Sequence, residues 1–314
     1  MELDKRTMWA EFFDSYNQAL GTYFDTELNG IDDEEILDAP GFDDAIRNSV
    51  LNSMQTWYSR PMEKAGGVTP EQLIDKISTL DEAMEVFLLA ATHCDEELPD
   101  LLRVKIGSYG VNAVDRLLPM VFSAPWESIE ETSDERPDEM LASAAALRLP
   151  GEWGATDTLE LVLSRYTASE NPDEMISEAF VTYCTGIGES AIPHLSGALL
   201  QEAASGGSLS GPYEYAVIAL TEVGRTHPSD NVFLCLRECF RKMDRKVIGA
   251  ICLGDYGDGR AIPALKGFLD RHIDQADRQL FYEILSSIKR LGGDITDIHD
   301  PFGDFSGRKE NTRQ

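Results

Sequence analysis

The chain has 314 residues, with 56 Asp and Glu against 27 Lys and Arg and a formal net charge of −29. So acidic a chain repels phosphate backbones, whose binding needs a Lys and Arg footprint, and an anionic membrane surface on the same ground, so neither nucleic acid nor membrane is an expected partner. No apolar run approaches the roughly 20 residues that span a bilayer, Met1-Glu2-Leu3-Asp4-Lys5-Arg6 lacks the order of a secretory signal, and five cysteines without metal-type spacing suit a reducing, cytoplasmic setting.

Residues 5–27 read as a long helix with Trp9, Phe12, Phe13, Tyr16, Leu20 and Phe24 on its apolar side, aromatic enough to cap the end of a stack. A short acidic helix is expected within 30–41, which contains Asp32-Asp33-Glu34-Glu35 and Pro40. Residues 42–58 follow with Ile46, Val50, Met54 and Trp57 at helical spacing. A loop at 64–70 leads to helices over 69–80 and 81–91, with Thr69 and Asp81 as their expected N-caps.

From residue 95 a phrase recurs: a helix-like run, a glycine, then a second apolar run. It stands as Ile106-Gly107-Ser108-Tyr109-Gly110 before Val114, Leu117 and Val121, and as Thr185-Gly186-Ile187-Gly188 before Ile192, Leu195 and Leu199. Altered copies begin at Gly154 (Leu159, Val162, Tyr166), Gly224 (Val232, Cys235, Cys239) and Gly257 (Ile262, Leu265, Leu269). From Gly110 the spacings are 44, 34, 36 and 33 residues, and Gly293 follows 36 later. Periods of this length with two helices per unit mark stacked helix pairs.

The special residues repeat as well. Ala191-Ile192-Pro193-His194-Leu195-Ser196-Gly197 lies 70 positions before Ala261-Ile262-Pro263-Ala264-Leu265-Lys266-Gly267. Proline in a first helical turn costs little, because its missing N–H would have no partner there. A glycine within a helix costs about 1 kcal/mol in propensity, so the recurrence of Gly197 and Gly267 predicts close contact between neighbouring units. First helices carry the complementary face, as in Phe281, Ile284, Leu285, Ile288 and Leu291, or Val217, Leu220 and Val223. Gly151-Glu152-Trp153 intrudes on the copy at Gly154 and predicts a distorted unit there.

These phrases, Gly188 to Leu199 above all, resemble the HEAT-like repeat family, including the bacterial proteins related to phycobilisome lyases. The resemblance covers roughly residues 95–293. It implies an all-α fold: an α-solenoid of about six antiparallel helix pairs in a right-handed stack, whose second helices line a concave surface that holds another macromolecule. Chromophore-lyase activity belongs to some members only, and no residue set here carries it. The expected organisation is an irregular helical cap or module at 1–94, the repeats at 95–293 and a flexible tail at 294–314.

The expected function is therefore non-enzymatic: a protein-binding scaffold module that takes a protein or peptide on second-helix side chains and inter-unit loops such as Glu189, Asp258 and Arg260. Charge suggests an alternative. Residues 1–154 hold 32 Asp and Glu against 11 Lys and Arg, which suits a neutralising or immunity-type protein that blocks a basic target. A third reading is a lyase or glycosylase built on the same repeats.

Local matches to catalytic or metal sites are weaker than the repeat. Gly186-Ile187-Gly188-Glu189-Ser190-Ala191 fits a dinucleotide fingerprint, which needs a preceding strand, whereas a helical run precedes it here. Cys235 and Cys239 stand one helical turn apart but align with Leu195 and Leu199, as small core residues do. His93, His194, His227, His272 and His299 show no ligand spacing, and the neighbours His93 and Cys94 point about 100° apart on a helix. Asp294, Asp297, His299, Asp300 and Asp304 lack the spacing of a calcium loop. Arg237, Arg241, Lys242, Arg245 and Lys246 are the one basic concentration, expected as a solvated helix end and loop. No catalytic residue, cofactor or metal ligand follows from the sequence.

Overall fold

The computed structural model describes residues 5–29, 42–95, 97–127, 136–274 and 276–303, with their side chains except at positions 28, 42, 43, 44 and 47. The acidic helix expected within 30–41 and Asp304 lie outside these residues. Regular structure among them is helical, with three isolated bridges, and no helix is long and apolar enough to cross a membrane. The chain forms two compact units, one of 1–124 with 134–149 and one of 125–133 with 150–314.

The first unit is built on α1 (Lys5–Leu28) and α2 (Phe42–Tyr58), whose bounds follow the apolar periodicity closely. Trp9, Phe12, Phe13, Tyr16 and Leu20 are buried, Phe24 half so, against Val50, Met54 and Trp57 of α2. Trp57 meets the edges of Phe12 and Tyr16 at ring separations of 5.3 and 5.5 Å, the edge-to-face arrangement aromatic quadrupoles favour. Its indole N–H donates to Ser15 Oγ at 2.8 Å, and the Tyr16 hydroxyl donates to the Glu97 carbonyl at 3.0 Å. The polar tips of this aromatic core are thus satisfied.

The helix expected over 69–80 is shorter, α3 (Pro70–Asp75), and α4 is Leu80–His93. Thr69 does cap α3, in a reciprocal capping box with Gln72. Asp81 is not the cap of α4. Thr79 takes that place with extended backbone, its hydroxyl accepting from Glu82 N–H, while the Glu82 carboxylate accepts from Ser78 N–H. α3 stops at Asp75, and the extended backbone at Thr79 keeps it from running on into α4. The bundle continues with α5 (Asp100–Gly107), α6 (Val111–Val121) and most of α7 (Asp138–Glu152). Gly110, at φ 59°, makes the turn between α5 and α6 that a side chain would strain.

In the second unit the helices are α8 (Leu159–Thr167), α9 (Glu174–Ile187), α10 (Ala191–Ser205), α11 (Pro212–Thr226), α12 (Asp230–Lys242), α13 (Lys246–Tyr256), α14 (Ile262–His272) and α15 (Arg278–Arg290). Short 3-10 turns at Thr156–Thr158, Gly188–Ser190 and Gly259–Ala261 lead into α8, α10 and α14. The copy at Gly154 therefore keeps the order helix, 3-10 turn, helix, and the intruding Gly151 and Glu152 are absorbed as the last turn of α7. Pro193 and Pro263 sit in first turns, as expected.

Packing runs in two rows. In one, α9 packs on α11, α11 on α13 and α13 on α15; in the other, α8 packs on α10 and α10 on α12. The repeated glycines inside second helices do not mark the close contacts: nothing lies within 4 Å of a Cβ placed on Gly197, and Gly267 would meet only the Arg271 guanidinium. The close approaches belong to the first helices. A Cβ on Gly186 would fall 2.5 Å from the Gly151 carbonyl carbon, and one on Gly254 would fall 2.8 Å from Ser287 Oγ. Gly151, Gly186, Thr221, Gly254 and Ser287 form a series of small residues spaced by 35, 35, 33 and 33. Thr221 reaches Cys252 on α13, and Ser287 donates to the Ala250 carbonyl at 2.9 Å. Along this series the contact is backbone to backbone at Gly151 and Gly186, and runs through hydroxyl side chains at Thr221 and Ser287.

Candidate functional site

The second helices α8, α10 and α12 share one register, starting at Leu159, Ile192 and Val232. Three and seven positions on, every residue is buried: Val162 and Tyr166, Leu195 and Leu199, Cys235 and Cys239. Two, five and nine positions on, every residue is exposed: Leu161, Ser164 and Ala168; His194, Gly197 and Gln201; Leu234, Arg237 and Arg241. Helical periodicity puts each exposed set on a single stripe, and because α10 packs on both α8 and α12 the three stripes lie side by side.

The face they form carries apolar and cationic groups together. Leu161 and Leu234 occupy the same place on their stripes and are 54 and 47% exposed, while Leu200, 44% exposed, lies on the flank of α10. Arg165 is exposed on α8 and Arg237, Arg241 and Lys242 on α12, whereas α10 carries no cation. Arg165 lies over the buried Trp126 ring at 5.6 Å and Arg237 over Phe233 at 5.8 Å, which holds each guanidinium against apolar surface. Arg241 keeps an exposed pair with Glu238 at 3.2 Å.

Of the five basic residues clustered in sequence, the last two serve the fold. Arg245 pairs with the largely buried Glu214 at 3.3 Å, whose carboxyl burial pushes up while the guanidinium draws it down. Lys246 donates to the carbonyls of Arg241 and Met243 at 3.0 and 2.6 Å, closing the end of α12.

The loop residues divide likewise. Glu189 is exposed in its 3-10 turn. Asp258 accepts from Arg260 N–H and binds its guanidinium at 2.6 Å, and Arg260 also pairs with Asp230 at 2.8 Å and lies 4.4 Å over the Phe233 ring. This cluster ties the turn before α14 to the start of α12. Its hydrogen bonds hold the Asp258 carboxyl below the ordinary Asp value of 3.8.

The remaining sequence matches are accounted for by structure. Gly186 lies in the last turn of helix α9, where it abuts Gly151. Cys235 and Cys239 are buried with sulfurs 4.0 Å apart, and the hydrogen bond to Cys235, then burial, raises Cys239 well above an ordinary thiol. His93 ends α4, while burial pushes the Cys94 thiol up to about 12, far from a thiolate. Asp294 is taken by Thr296, Asp297 by Lys266 at 2.8 Å, and Asp300 by Phe302 N–H at 2.8 Å. His194 is exposed on the second-helix face; Leu161 and Leu234, not singled out by sequence, stand at the equivalent positions of α8 and α12. The signal for Leu161 and Leu234 was an apolar residue two positions beyond the first core residue.

Comparison with protein-family models, with curated proteins and with solved structures found no match.

Proposed function

We propose that this chain is a HEAT-like α-solenoid protein whose second-helix face docks another protein, acting as a non-enzymatic scaffold. The observation that carries this reading is the exposed Leu161 and Leu234 on α8 and α12 with arginines beside them on the same two helices, flanking the uncharged stripe of α10. Apolar anchors set beside arginines are the composition of binding hot spots. The repeat reading is supported by the small-residue period on the first helices and by the shared register of the second helices.

A cationic, apolar face on a chain of charge −29 also selects its partner: an acidic segment with apolar anchors, since a basic one meets repulsion at Arg165, Arg237 and Arg241. The test is site-specific photo-crosslinking from positions 161, 200 and 234, with position 104 as an exposed control. The expected result is one shared product, lost in Arg237→Glu/Arg241→Glu and competed by a synthetic acidic amphipathic peptide. Equal labelling from position 104, or indifference to charge reversal and peptide, would sink the reading.

A further inference from the structure

The first unit contains an elongated cleft of about 670 Å³. One stripe of α4 makes its floor, with the exposed Glu85 and then Val86, Leu88 and Leu89 between Glu82 at one end and Thr92 at the other. From Glu82 to Thr92 this floor is about 15 Å long at the helical rise. Lys5–Glu82 at 3.0 Å and Asn17 to the His93 carbonyl at 2.6 Å hold α1 along one side of α4. On another side Arg116 pairs with Asp81 at 2.8 Å and holds α6. The walls accordingly come from α1 with the end of α3, and from the end of α6 with the first turn of α7.

The walls differ in charge. Lys5 is occupied by Glu82, which also accepts from Ser78 N–H and Oγ. That leaves Arg6 and Lys76 on the first wall, both exposed and forming no ion pair among the described residues. The second wall presents Asp138 and Glu139, exposed and equally unpaired among the described residues. Between them lie Met8 and Met120, unbranched side chains that adapt to what they meet, and Leu88, 42% exposed.

We propose that this cleft takes one amphipathic helix of another protein, about three turns long, with an apolar stripe flanked by acidic residues on one edge and basic residues on the other. Charge complementarity fixes the occupant: acidic residues face Arg6 and Lys76, basic residues face Asp138 and Glu139, and the stripe covers Leu88 and Leu89. This is the helix-in-groove mode of recognition. A lipid or fatty acid would place one polar end and leave the opposite wall unmatched. The occupant differs from the acidic partner of the second-helix face, and the proposal does not depend on that face.

The test uses the full chain with ¹³C-methyl methionine and three synthetic helical peptides that share a leucine stripe: mixed Glu and Lys flanks, all Glu, and all Lys. The expected result is that the mixed peptide binds best and shifts the Met8 and Met120 methyl signals. Leu88→Asp then weakens it about tenfold or more, as losing a large apolar contact does. Because Leu88 is exposed the variant should keep its melting temperature, and Asp138→Lys/Glu139→Lys gives an independent check by moving preference to the all-Glu peptide. The proposal is overturned if no peptide shifts the methyl signals, if the three bind alike and the charge reversal changes nothing, or if only fatty acid or phospholipid vesicles bind.

Discussion

Two rows of helices in the second unit use small residues in opposite ways. On the first helices, Gly186 and Gly254 sit where a Cβ would strike a neighbour within 3 Å; on the second, Gly197 faces open space. The same residue type thus marks the tightest contact in one row and a bare patch in the other. Repetition in sequence signals that a position is constrained, not which side of the helix imposes the constraint. The seam is a device for packing, whereas the stripe that holds Gly197 is a surface bordered by leucine and arginine.

Substitutions that exchange these characters probe the contrast. The largest effect is expected from Gly186→Ala, whose methyl must displace the Gly151 backbone; overpacking of that kind costs about 3 kcal/mol and should lower the urea midpoint sharply. A wild-type midpoint would mean that the helices of this row part easily and that the seam does not hold them. Next comes Asp258→Ala, which removes a helix-turn cap and the Arg260 tie, for a loss of about 1 kcal/mol at pH 7. Its sign with pH is fixed: a carboxyl lowered below 3.8 in the folded chain contributes above the ordinary Asp value and ceases to contribute as pH falls through the folded one. The difference between variant and parent should therefore shrink by pH 3, and a difference that persists there would assign it to something other than the carboxylate.

Gly197→Ala should move the other way, raising stability by about 0.5–1 kcal/mol, because an exposed helix interior gains from losing glycine's freedom. A loss of stability on calorimetry would place an unseen contact over this stripe. The smallest effect on folding is expected from Leu234→Asp, within about 0.5 kcal/mol as for other exposed positions, while crosslinking from position 200 disappears. A variant that unfolds would show Leu234 to be core.

Much of the helical order was legible because amphipathic periodicity is imposed by burial, and it gave α1, α2 and the paired helices from Asp100 onward. Capping was legible only in part. Thr79 and Asp81 are both good caps, and the choice fell to Thr79 because Glu82 lies three residues beyond it and reaches back to Ser78. The run 69–80 reads as continuous since Leu73 and Ile77 both face the core, yet periodicity is blind to a helix that stops between two buried positions. The exposed leucines were hidden for a related reason: Leu161 and Leu234 stand next to buried positions, and one sequence does not tell the rim of a core stripe from a separate face. Spacing presents Asp258 and Arg260 as loop residues open to a partner, but their charges are turned on each other and on Asp230, which spacing does not reveal.

The seam from Gly151 to Ser287 also governs how such a chain can diverge. Core positions on the second helices already hold Leu, Val, Tyr and Cys at equivalent places, so bulk there is negotiable and each generation of substitutions can be absorbed by its neighbours. The first-helix positions have accepted only a hydrogen, a hydroxymethyl or a hydroxyethyl group at every turn of the period. Distant kin of this molecule would therefore share little of what is large in it and most of what is small, and drift would erase their likeness everywhere except along that line.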